Sequence, residues 1–251
     1  MTLKENRKEA NGVIDIINYA KQFPESAIFR GENRIYDSLK PKIGRIFEDF
    51  CKKFQIDSEN EIQDVFNKFE NEIRDDFSRC SEPYIRDFGI NIDDEVRILV
   101  VGQHYGLPTR LLDWTENILT AVYFAVEGTY PENRRIYIFN TNQEILSDVE
   151  VFSDKFSGVR KYLPPIVHGR IIAQSSIFTV SFEPYIDMHE QKNNNQDYWL
   201  REIIIPYQSV GNIRDDLNKL GVNGKSIWPD IDGIVKYINW FYLEKYSMNN
   251  K

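Results

Sequence analysis

Residues 102–127 read GQHYGLPTRLLDWTENILTAVYFAVE. Gln103, His104, Tyr105, Thr109, Arg110, Asp113 and Trp114 crowd into the twelve positions 103–114, and an apolar-faced stretch follows at once. Asp113 and Glu116 have the spacing of a helix start. Ile118, Leu119, Val122, Tyr123 and Val126 then recur at helical spacing, and Gly128 ends the run. Backbone N–H groups at a helix start attract anions, and Arg110 adds charge there. Two readings stay open: the polar residues hold a polar or anionic ligand, or they satisfy one another in a capped loop. In the second, Arg110 pairs with Asp113.

Outward from this stretch, the first half of the chain reads as helices. Val13, Ile16, Ile17 and Ala20 share a face, and Pro24 closes that helix. A helix carrying Ile43, Ile46, Phe47 and Phe50 follows Pro41. A longer one, opened by Ser58 and Glu61, runs from Ile62 through Phe66, Phe69 and Ile73 to Phe77. Residues 81–92 read as a loop, and ILVVG at 98–102 fits either a helix or a buried strand. Before these helices, 27–30 is a short apolar strand with Arg30 at its carboxyl end. The second half reads mostly as strands: 134–140, 170–182 and 202–206. Two helices complete it, one from Ser209 and a last one over 232–246 that packs Ile234, Ile238 and Phe241. Without alternating β-α-β units, this is an α+β pattern: a helical first half on a mixed or antiparallel sheet built mainly from the second half. No linker divides the chain. A single domain is expected, its core over about 12–238, with 1–11 and 247–251 as flexible ends.

Composition narrows the function classes. Lys and Arg number 31 against 39 Asp and Glu, a net charge of −8, which argues against nucleic acid or an anionic membrane as partner. No apolar run reaches membrane-span length, and the first residues lack the apolar core of a secretory signal. A cytoplasmic protein is expected, with Cys51 and Cys80 as reduced core thiols. His104, His168 and His189 are scattered and no HExxH occurs, so no metal is expected. Neither GxxxxGK[ST] nor GxGxxG is present, and there is no GxSxG nucleophile elbow. Arg30 stands out because an arginine ending a buried strand needs an anionic partner, either a ligand phosphate or carboxylate or an internal salt bridge. Trp114 can stack a ring or pack a helix. Trp199, Trp228 and Trp240 read as core or rim packing.

QHYGLPTRLLDWTEN followed by AVYFA resembles the signature block of the FRG domain, a mostly prokaryotic family named for a Phe-Arg-Gly motif. That motif is present as Phe29-Arg30-Gly31, and RIIAQSSIFTV (170–180), IIIP (203–206) and GVNGKSIWPDIDG (221–233) are similar to the family's later blocks. The order Phe29-Arg30-Gly31, Ser175-Ser176, Glu202 also resembles Arg-Ser-Glu mono-ADP-ribosyltransferases. Two departures stand: Leu200 replaces a second acidic or amide residue, and Ser175-Ser176 replaces Ser-x-Ser. The resemblance implies an ADP-ribosyltransferase-like fold with NAD as substrate. Arg30 would hold the pyrophosphate, the serines would orient the nicotinamide-ribose strand, and Glu202 would stabilise the sugar cation. The implied pocket is lined by Arg30, Gln103, Tyr105, Thr109, Arg110, Asp113, Trp114, Arg170, Gln174, Ser175 and Ser176, with Glu202 and His104 as catalytic candidates. The function expected is binding of a nucleotide-like ligand, with NAD-dependent transfer or glycohydrolysis in a bacterial toxin or antiviral role. The competing expectation is a non-catalytic ligand sensor or a module docking on a protein partner.

Overall fold

The computed structural model describes residues 7–56, 61–86, 89–91, 93–153, 156–191 and 198–245. Its strands are β1 (Arg7–Glu9), β2 (Ile28–Glu32), β3 (Leu111–Thr115), β4 (Arg134–Thr141), β5 (Val159–Tyr162), β6 (Ser176–Ser181) and β7 (Tyr198–Ile205). They form one sheet in the order β1-β7-β4-β2-β3-β6-β5. β1 runs parallel to β7 and every other pair is antiparallel, so the sheet is mixed. Four of the seven strands come from the second half, as the sequence pattern predicts. The ion pair Arg7–Glu202 fastens β1, so Arg7–Glu9 is a sheet edge and not a flexible end. Residues 247–251 and the Ser58 cap lie outside the described residues.

Helices cover the sheet. α1 (Val13–Ala20), α5 (Ile118–Val126) and α7 (Tyr207–Lys219) bury one apolar cluster against Phe29, Ile136, Ile138, Ile203 and Ile205. Alternate strand residues Ile28, Leu112, Trp114, Tyr137 and Phe139 fill a cluster on the opposite face. α2 (Lys42–Phe54) and α3 (Ile62–Ile85) pack through Ile43, Phe47 and Phe66. α4 (Glu95–His104) is a helix in place of the strand alternative, capped by Asp94, whose side chain accepts from Arg97 N. α3 runs through Pro83 to Ile85, so the expected loop begins later than the sequence suggested. Cys51 is half-buried and Cys80 exposed, so Cys80 is not a core thiol.

Three further local readings change. Leu111–Thr115 is strand β3, paired along its length with β6; the helix start is Asn117, whose side chain accepts from Leu119 N. The 170–182 stretch opens as a short helix, α6 (Gly169–Ala173), before β6. His168 caps it, its Nδ1 accepting from Arg170 N. The chain then passes through α8 (Gly224–Ile227) into α9 (Ile231–Ile238), which continues as a π-helical segment over Asn239–Lys245.

Candidate functional site

β2 pairs with β4 over five residues but with β3 through one pair only, Phe29 with Thr115. Beyond that pair β2 and β3 part, and a cavity of about 350 Å³ lies beside the split. Its walls come from β3 and β6 (Asp113, Thr115, Ser176, Phe178), α4 (Val100, Gln103, His104), α6 (Arg170, Ile171, Gln174), Phe124 of α5 and Trp228.

The three residues of the Phe-Arg-Gly motif divide the work at this split. Phe29 is buried in the core beneath α1 and α5. Gly31 lies against the α5 backbone, where an added methyl would sit 1.9 Å from Ala121 O. Arg30, between them, crosses the split: its Nη1 donates to Asp113 O at 2.8 Å. Its Nε is buried without a hydrogen bond, Glu32 Oε1 lying 3.6 Å away. Glu32 itself is held by Arg135, at 2.9 and 3.2 Å.

Asp113 is the carboxylate of the cavity. Gln103 Nε2 donates to its Oδ2 at 2.9 Å, and Gln103 Oε1 accepts from Thr109 Oγ1. Both ends of the Gln103 amide are therefore engaged, and Gln103 acts to orient Asp113. Arg170 is matched by Asp230 (Nε to Oδ2, 2.7 Å) and Asp232 (2.9 Å), and its guanidinium lies 4.7 Å from the centre of the Trp228 ring. Gln174 Nε2 donates to Ile227 O at 3.2 Å, and the Gln174 backbone carbonyl accepts from Thr115 Oγ1 at 2.6 Å. His104 stacks on His168 with ring centres 4.0 Å apart. Burial, then the neighbouring His168 and Arg170, push the His104 imidazole down to about 4, so it is neutral near pH 7.

Of the sequence candidates, Arg30, Gln103, His104, Asp113, Trp114, Arg170, Gln174 and Ser176 line the cavity. Tyr105 is largely exposed and is not part of the wall. Thr109 is buried behind Gln103, and Ser175 holds the turn into β6 at φ +46°, its carbonyl accepting from Glu116 N. Arg110 pairs neither with Asp113 nor with the cavity. It is buried in a forked contact with Glu70 of α3, and its Nη1 donates to Val151 O. His168, Phe124 and Trp228 are wall residues the sequence reading left out. The signal for His168 was its place two residues before Arg170, where it caps α6.

Glu202 is not a wall residue. It shares a row with Tyr137 and Arg30 across β7, β4 and β2. Its carboxylate meets Arg7 at 2.7 Å, His189 Nε2 at 3.5 Å and Arg135 at 3.9 Å. Burial pushes the Glu202 carboxyl up, but His189 and the arginines outweigh it and hold it below the usual range. Asp187, 2.7 Å away, and then Glu202 raise His189 to about 9.

The fold and site define an α+β protein with a polar and aromatic cavity at a parting of two central strands. Residues 25–134 match the family model of the FRG domain, and the chain carries an FRG domain over that span. The match includes Arg30, Gly31, the α4 wall and Asp113, whereas α6, β6 and Trp228 lie beyond it. Comparison with curated proteins and with solved structures gave no significant match. Among the described residues no helix is long and apolar enough to cross a membrane.

Proposed function

We propose that this cavity binds a small nucleotide-like ligand. The observation that carries the reading is Arg30: a guanidinium in the cavity wall with one donor on Asp113 O, whose nearest carboxylate, Glu32 at 3.6 Å, is already engaged by Arg135. Such a group is stabilised by an anion, and its fork suits phosphate. Asp113 keeps one carboxylate oxygen outside its bond to Gln103, suited to accepting from a ribose hydroxyl or a ring amine. Trp228, Phe124 and Phe178 supply apolar surface for a planar ring. The volume is toward the lower end of ligand pockets, which span roughly 300–1,000 Å³, and suits one nucleotide moiety with any remainder toward the opening.

Binding without turnover is the form we favour, because the Glu202 carboxylate is engaged by Arg7 and His189 and lies outside the cavity wall. ADP-ribosyl transfer or NAD glycohydrolysis through Glu202 is the second reading. In its favour is the shared row of Arg30, Tyr137 and Glu202 on one sheet face. An effector role in bacterial defence rests on the family resemblance alone. The test is calorimetric titration with NAD, ADP-ribose and AMP, alongside an assay for nicotinamide release. Arg30→Ala should weaken binding by about ten- to a hundredfold, the worth of a charged hydrogen bond, with little change in melting temperature. No binding of any of the three by wild-type protein would sink the proposal. Nicotinamide release lost in Glu202→Gln would favour the second reading.

A further inference from the structure

The sequence pattern of 232–246 predicts a helix packing Ile234, Ile238 and Phe241 inward. The structure turns two of these outward. Ile231 (77% exposed), Ile234, Val235, Ile238 (47%), Tyr242 and Leu243 (67%) form one apolar stripe along α9 and the π-helical segment. Spacings of three, four and seven residues keep the first four together, and the wider π turn keeps Leu243 beside Tyr242. The inward side is held by Trp240, which is buried, and by Gly233, whose Cα packs against the Trp228 carbonyl. The charged groups of this segment are ion-paired with the body of the fold, although Asp232 and Lys236 remain exposed. Asp232 pairs with Arg170, Lys236 with Glu127, Glu244 with Arg214, and Lys245 with Asp215. An ordinary surface helix turns its apolar residues inward, whereas here a row of them faces water.

We infer that this stripe is the interface of a two-fold dimer. Six side chains, each about half exposed or more, offer on the order of 600 Å² per copy, near the roughly 800 Å² per partner of a stable interface. A second copy presents a stripe of the same length and the same lack of charge, and two-fold pairing buries both at once. A strongly charged partner would find no complementary charge on the stripe. An anionic membrane would meet a protein of net charge −8.

The test is sedimentation velocity at 0.15 M salt from micromolar to sub-millimolar protein, comparing wild type with Ile234→Glu/Ile238→Glu. Val149→Glu, at an exposed site away from the stripe, is the control. Wild type and control should dimerise with rising concentration. The double variant should stay monomeric, its association weakened by roughly a hundredfold or more, with its circular dichroism unchanged because both side chains are about half exposed. A wild type that stays monomeric throughout, or a dimer that survives the double substitution, would overturn the inference. So would monomers that co-sediment with phosphatidylcholine–phosphatidylglycerol vesicles through the same stripe, which would make it a membrane-docking face.

Discussion

At the scale of single residues, Phe29, Arg30 and Gly31 show how three neighbours serve three surroundings. Strand alternation sends Phe29 and Gly31 to the α5 side and Arg30 to the other. The sequence made Arg30 legible as a charged residue at a strand end. It did not show why glycine follows, because the reason is the α5 backbone some ninety residues away. We expect Gly31→Ala to destabilise the protein by about 3 kcal/mol or more, since main-chain atoms of α5 must move to admit the methyl. Gly211 lies within α7 with nothing within 4 Å of an added methyl, and Gly211→Ala should stabilise by about 0.5–1 kcal/mol. Thermal denaturation of both variants checks the pair; a Gly31→Ala protein melting like wild type would show that α5 and β2 are not so tightly apposed.

At the scale of elements, the misreadings share a cause. Asp113 and Glu116 imitate a helix start, yet pairing of Leu111–Thr115 with β6, more than sixty residues on, makes a strand. Ile171 and Ile172 look strand-like, but the His168 cap and the contacts of Arg170 and Gln174 with 227–232 hold that stretch as α6. Arg110 is the clearest case. Local spacing offered Asp113, whereas the partner is Glu70, forty residues earlier on α3. That buried pair ties α3 to the start of β3. Replacing one member strands the other charge, so Glu70→Leu should cost about 3–5 kcal/mol. The double variant Glu70→Leu/Arg110→Met should regain most of it. Urea denaturation of the two variants decides the matter: a double variant as unstable as the single would place the loss in packing, not in an unpaired charge.

At the scale of the whole molecule, stability is bounded on both sides by histidines. His189 has its folded-state value raised to about 9. Its stabilisation is therefore complete below its unfolded value of about 6.5 and is lost as pH rises through 9. His104 is lowered to about 4, so its contribution is complete above about 6.5 and declines as pH falls toward 4. The lowered Asp187 and Glu202 carboxyls add to the acid-side loss. Melting temperature should thus peak near pH 6–7. His189→Gln should flatten the alkaline limb between pH 7 and 9.5 and also soften the part of the acid limb owed to Asp187 and Glu202, which His189 helps hold low, leaving the His104 part in place. An alkaline limb unchanged in that variant would mean that His189 does not set it. The α+β architecture was legible because apolar periodicity distinguishes helices from strands locally. The strand order, the parting of β2 from β3 and the outward stripe on α9 were not, because each depends on which distant element arrives beside which.

That strand order has a consequence during synthesis. β4 lies in the middle of the sheet, between β2 and β7, and pairs with β7 along eight residues. β7 leaves the ribosome late, so a nascent chain that has already made β2, β3 and β4 carries an open strand edge rich in Ile, Tyr and Phe until residues 198–205 emerge. Such an edge invites pairing with other chains. The three-residue β1, made before the other described strands, can dock only after β7 is in place, so it is among the last of them to join the sheet.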